Sequence, residues 1–241
     1  SLDKVLYTPN RTRFLDDVNR PQYHLIEPEK WMNEPHAPFF FNGYYHIFYQ
    51  ANLHAPIWDS IQWGHLASKD MVHWQDLPLA LQSEKGFYDE LGCWSGSGLV
   101  DKDGVPRIYY TAGNSNRFPN QAVALAQPED TEEDPLLKKW KKYPSLIKEQ
   151  DIGWLGEFRD PFVWIENDSY FMLVGTGDEH NGGGNAALYA SSDGLHWGSC
   201  GMLVDYDYES NQRCGHVWEL PVLLPLRDDS GKIVCHIMIF C

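Results

Sequence analysis

An eight-residue phrase occurs twice in this chain, as Ala67-Ser68-Lys69-Asp70-Met71-Val72-His73-Trp74 and as Ala190-Ser191-Ser192-Asp193-Gly194-Leu195-His196-Trp197. Each copy follows a strand-like run, Gly64-His65-Leu66 in one case and Ala187-Leu188-Tyr189 in the other. A weaker copy, Leu137-Lys138-Lys139-Trp140, stands between them, so the closing tryptophans are about 66 and 57 residues apart. Self-similarity at such a spacing marks a repeat architecture, and the spacing suits a four-stranded propeller blade with long loops. Short runs rich in Phe, Tyr, Ile and Val alternate with period two, as in Tyr44-Tyr45-His46-Ile47-Phe48-Tyr49 and Tyr170-Phe171-Met172-Leu173-Val174. Turn signals separate them: Asn42-Gly43, Asp103-Gly104, Asp193-Gly194 and Ser230-Gly231. The predicted fold is therefore all-β, a β-propeller in preference to a sandwich.

The blades are predicted at residues 31–81, 93–147 and 158–204, with a fourth beginning near Val217. The apolar run from Ile233 to Phe240 reaches the final residue, Cys241, so the last blade is expected to be cut short. Residues 1–30 read as a lead-in arm whose only strand-like piece is Tyr23-His24-Leu25-Ile26. Residues 129–142 are helix-friendly but acidic and broken by prolines, and are expected to be a solvated loop or a short turn.

A net charge of −15 argues against nucleic acid or an anionic membrane surface as partner, because both would be repelled. A neutral small molecule or oligosaccharide fits better, and ten Trp with thirteen Tyr supply flat rings on which sugar faces stack. No run approaches the roughly 18 apolar residues needed to cross a bilayer. Ser1-Leu2-Asp3-Lys4 does not open a signal peptide, and the five cysteines, without a CxxC pair, signal neither a disulfide framework nor a zinc site. A cytoplasmic protein is the expectation, or a secreted one if a signal peptide has been removed. The sequence carries no indication of oligomeric state.

Three acids stand near a proline at the head of an apolar strand: Glu34 in Trp31-Met32-Asn33-Glu34-Pro35, Asp160 in Arg159-Asp160-Pro161, and Glu219 in Trp218-Glu219-Leu220-Pro221. One such acid alone is ordinarily a turn. Three at matching blade positions would converge, because the innermost strands of a propeller face one central funnel. Glycoside cleavage needs a protonated carboxylic acid and an ionised carboxylate on either side of the bond, and crowding in a funnel should raise at least one pKa. Arg159 is expected to neutralise Asp160 while its other donors hold substrate hydroxyls.

The ordered set of motifs resembles glycoside hydrolase family 32, the invertase, levanase, inulinase and fructosyltransferase group, from Tyr23 to Cys241. The Trp31–Pro35 stretch is similar to the family's Trp-Met-Asn-Asp-Pro. Phe48-Tyr49-Gln50, Trp63-Gly64-His65, Trp94-Ser95-Gly96-Ser97, Arg159-Asp160-Pro161 and Trp218-Glu219 follow in the family's order. The resemblance implies a five-bladed propeller, incomplete here, and retaining hydrolysis of terminal β-fructofuranosides of sucrose or fructans without metal or organic cofactor. It implies that Glu34 is the nucleophile, Asp160 the transition-state stabiliser and Glu219 the general acid/base. Asn33, Gln50, Trp58 or Trp63, Trp94, Ser95 and Arg159 would line the fructose subsite.

Four residues depart from the family pattern: Glu34 stands where the family has Asp, His36-Ala37 replaces Asn-Gly, and Leu220 replaces Cys. The longer Glu34 leaves two rival readings open, a fructan binder without catalysis and a related five-bladed arabinosidase. The ten histidines show no paired zinc spacing, and His73 and His196 belong to the repeat, where structural hydrogen bonds are expected. The glycine-rich stretch from Asp178 to Asn185 is expected to be a flexible surface loop rather than a phosphate cradle.

Overall fold

Fifteen strands form among the residues that the computed structural model describes, 8–21, 24–180, 182–210 and 214–241. Strands β1 (Trp31–Phe41), β2 (Tyr44–Asn52), β3 (Gln62–Ser68) and β4 (Trp74–Leu81) make the first antiparallel sheet in simple up-and-down order. Strands β5 (Gly92–Val100), β6 (Pro106–Gly113), β7 (Gln121–Pro128) and β8 (Trp140–Lys142) make the second, with β9 (Lys148–Glu149) as a further partner of β7. The third consists of β10 (Arg159–Glu166), β11 (Ser169–Gly177), β12 (Gly184–Ser191) and β13 (Gly198–Met202), followed by the hairpin β14 (Val222–Arg227) and β15 (Ile233–Ile239). Three full blades and two strands of a fourth thus occupy the predicted spans, and no α-helix occurs among the described residues. Residues 129–139 are loop, and Trp140 opens β8 just as Trp74 opens β4.

The recurring phrase is a turn-locking device. Asp70 Oδ1 accepts from the N–H groups of Val72 at 2.9 Å and His73 at 2.8 Å, and Asp193 Oδ1 accepts from those of Leu195 at 2.8 Å and His196 at 2.9 Å. In both copies the serine hydroxyl donates to the aspartate and accepts from the residue at positive φ, Met71 or Gly194. His73 and His196 contact the same aspartates through Nδ1 at 2.7 and 2.8 Å, a structural use of both imidazoles. At the β1–β2 hairpin, Asn42 and Gly43 both adopt positive φ, 53° and 82°, as a tight two-residue turn demands.

Period-two alternation gives each middle strand two buried faces, one toward each neighbouring blade. On β6, Ile108, Tyr110 and Ala112 pack with Phe48, Trp63 and Leu81 of the first blade. Tyr109, from the opposite face, packs with Val163, Met172 and Tyr189 of the third. Trp218 joins Leu173 and Ala186 to Phe240 on the far side of that blade. Leu25 of the arm lies against the free face of the first blade, and Arg11 clamps the arm there through paired 2.9 Å bonds to Asp76. His24, Leu25 and Ile26 form no strand, and Tyr23 and residues 1–7 lie outside the described residues.

Close strand packing makes one backbone position unforgiving. A Cβ on Gly96 would sit 1.9 Å from the Tyr109 carbonyl oxygen, whereas one on Gly198 meets nothing nearer than 3.9 Å. Because backbone cannot rotate out of the way, Gly96→Ala is expected to destabilise the protein by about 3 kcal/mol and Gly198→Ala by less than about 0.5 kcal/mol. Urea unfolding of the two variants measures both values; equal midpoints would contradict the packing described.

Candidate active site

The first strand of each blade slips register where it reaches the funnel. The slips fall between Met32 and Pro35 on β1, Trp94 and Gly96 on β5, and Arg159 and Phe162 on β10. In the fourth blade Glu219 and Cys241 exchange backbone hydrogen bonds of 3.0 and 2.9 Å, and pairing resumes at Val222 with Ile239. Bulges re-aim side chains, and Glu34, Ser95 and Asp160 lie within these slips. The acids are not at strictly matching positions, a correction to the sequence reading. Glu219 occupies the last paired position before its slip, Asp160 the first residue inside its slip, and Glu34 the second. The bulges bring them together despite the offsets. Asp160 and Leu220 take positive φ of 61° and 50°, a strained state for side-chain-bearing residues of the sort that collects at functional sites.

The funnel holds a cavity of about 300 Å3 lined by Asn33, Glu34, Gln50, Trp58, Trp94, Ser95, Arg159, Asp160 and Glu219, with Gln121 and Leu220 in addition. Every residue picked out from the sequence is therefore on its wall except Trp63. That indole is fully buried in the core and donates to the Trp94 carbonyl at 3.1 Å, so it braces the wall from behind. Trp58 is the exposed indole, 48% accessible, and its ring lies 5.4 Å from that of Trp94. Trp94 sits in a slot between Gly92 and Gly113, where a Cβ would come within 2.6 and 2.7 Å of its ring.

Glu34 Oε1 accepts from Gln50 Nε2 at 3.1 Å and from the Ser95 hydroxyl, while Trp58 Nε1 donates to Gln50 Oε1 at 3.3 Å. Asn33 accepts from the Trp31 indole. Burial pulls the Glu34 carboxyl upward, but the nearby His36 ring and the Ser95 hydroxyl outweigh it and hold the group down at about 2. Asp160 behaves oppositely. Burial pushes it up to about 7, the Leu220 N–H and Arg159 oppose, and the charges of Glu219 and Glu34 add to the rise. Asp160 Oδ2 accepts from Leu220 N at 3.0 Å, and its own N–H donates to Thr111 Oγ1 at 2.7 Å.

Arg159 does not hydrogen-bond Asp160, contrary to the pairing expected from sequence. Its Nε donates to Glu219 Oε1 at 2.9 Å and its Nη1 to Gln121 Oε1 at 3.3 Å, with Glu157 as a third partner. The guanidinium thus reaches the exposed acid across the funnel and leaves Asp160 to a backbone donor. Among the described residues no group of three or more His, Cys, Asp or Glu forms a metal-binding cluster.

The raised Asp160 has a thermodynamic consequence. Between about pH 4 and 7 the folded chain holds a proton that the unfolded chain has released, so stability from this group is full below about pH 4 and is lost as pH rises through 7. Glu27, buried in the arm and also raised to about 7 by burial, contributes in the same window. Asp160→Asn is expected to flatten the fall in unfolding free energy between pH 5 and 7.5 by an amount on the order of 2 kcal/mol. Urea titrations at the two pH values check this, and an unchanged slope would contradict the assignment.

Together the three blades, the converging acids and the aromatic wall define a β-propeller protein with a carboxylate-lined central cavity. The chain belongs to glycosyl hydrolase family 32: residues 24–241 match the family's N-terminal domain. It is 35% identical over 228 residues to an insoluble isoenzyme of β-fructofuranosidase from Arabidopsis thaliana, covering 92% of this chain and 37% of that protein. It is 39% identical over 224 residues to the sucrose-6-phosphate hydrolase of Zymomonas mobilis, covering 90% and 43%. Among solved structures, a variant of fructan 1-exohydrolase IIa from Cichorium intybus in complex with 1-kestose superposes with a TM-score of 0.79 at 30% identity, covering 92% of this chain and 42% of that one. The chain spans well under half the length of these relatives.

Proposed function

We propose that this domain carries the catalytic centre of a retaining β-fructofuranosidase that releases terminal fructosyl units from sucrose or fructans. The observation that carries the reading is the convergence of three carboxylates on one cavity wall, where Gln50 and Ser95 hold Glu34 Oε1 and Arg159 holds Glu219. A pair of carboxyl groups flanking one bond is what retaining glycoside cleavage requires. Glu34, ionised across the neutral range, attacks the anomeric carbon through Oε2, while Gln50 and Ser95 hold its Oε1. Glu219, half exposed and steered by Arg159, gives its proton to the leaving oxygen and then takes one from the attacking water. Asp160, backed by Leu220 N, hydrogen-bonds ring hydroxyls and, in its ionised form, stabilises the oxocarbenium-like charge.

Asn33, Gln50, Ser95 and Arg159 present donors and acceptors to a fructosyl ring, and Trp58 offers it an apolar face. Arg159 is the only cationic side chain on the described wall and is committed to two carboxylates, which favours a neutral sugar over a phosphorylated one. The relatives' names divide on this point: β-fructofuranosidases and fructan exohydrolases recur among them, and one is a sucrose-6-phosphate hydrolase. No aspect of the wall favours an arabinoside.

The test is hydrolysis of sucrose, inulin and levan by the full-length protein, with the first-formed anomer followed by NMR. Release of β-fructofuranose ahead of mutarotation is the expected result. Binding of these sugars without turnover would instead make the protein a fructan binder.

Within this reading Ser95→Ala removes one donor from Glu34 Oε1. The acid limb of kcat/KM is expected to rise by about one pH unit, since a hydrogen bond to a charged group contributes about 1.5 to 3 kcal/mol. A pH–rate profile of that variant checks the prediction, and an unmoved limb contradicts it.

A further inference from the structure

His36 lies beneath Glu34 and enters the site described so far only through its pull on the Glu34 carboxyl. It follows the acid by two residues on β1, is 6% exposed, and packs against Trp63 with ring centroids 4.1 Å apart. Neither Nδ1 nor Nε2 has a partner within hydrogen-bonding distance among the described residues. A neutral imidazole carries one donor and one acceptor, and burying them unpaired is unfavourable, so such a group calls for a reason.

The polar groups around it narrow that reason to one. His46 Nδ1 and His65 Nε2 contact each other at 2.9 Å and Trp63 Nε1 donates to the Trp94 carbonyl, while His46 Nε2 and His65 Nδ1 have no partner among the described residues, so none of these bonds to the His36 ring. The carboxylate of Glu34 is what remains, its Oε1 standing 3.9 Å from Nδ1. On the other sides that carboxylate faces the donors Ser95 and Gln50 from β5 and β2, and the acid Asp160 from β10. Burial favours the neutral form of His36, which keeps an N–H to give. A shift of about 1 Å would bring Oε1 within hydrogen-bonding distance of it.

Resting on the reading of Glu34 as nucleophile, we propose that His36 is a positioning residue. Its Nδ1–H donates to Oε1 as the carboxylate settles into the reacting pose, so that Oε1 is gripped from below by His36 and from the sides by Ser95 and Gln50. Oε2 is thereby turned toward the anomeric carbon. A Glu side chain has one more rotatable bond than Asp, and a third holder removes that added freedom.

His36→Phe keeps a ring against Trp63 but removes the donor; His36→Asn restores a donor on a smaller group. In the full-length protein, His36→Phe is expected to lower kcat on sucrose about 10- to 100-fold, with KM within about threefold, and to raise the acid limb of kcat/KM by about one pH unit. His36→Asn should recover part of both. In a Glu34→Asp background the shorter acid no longer reaches the ring, and the effect of His36→Phe on kcat should shrink to less than about threefold. Should the Phe variant not fold, His36→Leu against His36→Gln makes the same comparison.

A second readout does not depend on turnover. The pH at which a small water-soluble epoxide esterifies Glu34, read by peptide mass spectrometry, should move upward in His36→Phe. Unchanged kcat and an unmoved labelling profile would overturn the proposal. Turnover that survives in Glu34→Gln, with a labelling profile that still shifts in His36→Phe, would sink the nucleophile reading while leaving the His36–Glu34 contact in place.

Discussion

Glu34→Gln is expected to lower kcat on sucrose or a fructan by about 10^4-fold or more in a protein that still folds and still binds the sugar. An amide is a poor nucleophile, and the surrounding site offers no substitute at that place. A loss of that size corresponds to about 5.5 kcal/mol of transition-state stabilisation. Steady-state rates with sucrose, alongside fructose binding by calorimetry, separate lost chemistry from lost binding. Because Gln50 Nε2 and the Ser95 hydroxyl donate to Glu34 Oε1, a Gln side chain can keep both contacts through its carbonyl oxygen, so binding and stability should change little. Residual turnover within tenfold of wild type would remove Glu34 from the nucleophile's role.

The second large effect concerns Glu219. Glu219→Gln should cost about 10^3-fold in kcat on sucrose, whose leaving oxygen needs a proton, and far less in the first turnover of an aryl fructoside, whose leaving group departs unaided. With the aryl substrate the enzyme should then stall at the fructosyl intermediate and show a burst, and added azide, which needs no general base, should restore turnover. Equal losses on both substrates, or no azide rescue, would mean that Glu219 holds the site together through Arg159 and does not transfer the proton. The 2.9 Å bond between Arg159 Nε and Glu219 Oε1 makes that alternative a definite one. Arg159→Lys helps to decide, since a single ammonium does not reproduce a guanidinium that reaches Glu219, Gln121 and Glu157 together.

Blade boundaries were legible in the sequence because the repeat is a local device. Ser68-Asp70-His73 and Ser191-Asp193-His196 lock the same turn with their own side chains, so the pattern survives without tertiary context. The convergence of Glu34, Asp160 and Glu219 was legible too, but their offset was not, because register slips are set by cross-strand pairing that no short stretch encodes. Trp63 was misplaced for a related reason. On a strand buried on both faces nothing local says which way an indole points, and its N–H found the Trp94 carbonyl instead of the funnel.

Gln121 left a signal that went unused. It stands directly before the apolar stretch Ala122-Val123-Ala124-Leu125-Ala126, and it ties Phe158 N and Arg159 to the wall. The missing hydrogen bond between Arg159 and Asp160 reflects the positive φ of Asp160, which turns the acid toward Leu220 N and away from its neighbour in sequence.

The central claim is that Glu34, despite its length, forms the covalent bond to fructose. It is tested most directly by trapping that bond: Glu219→Gln protein is mixed with an aryl fructoside, quenched in acid within the burst, digested and examined by mass spectrometry. The account predicts one fructosyl unit esterified to the peptide that contains Glu34. A peptide that stays unmodified while aryl alcohol is released in a burst, or an adduct on the peptide that contains Asp160, would contradict it.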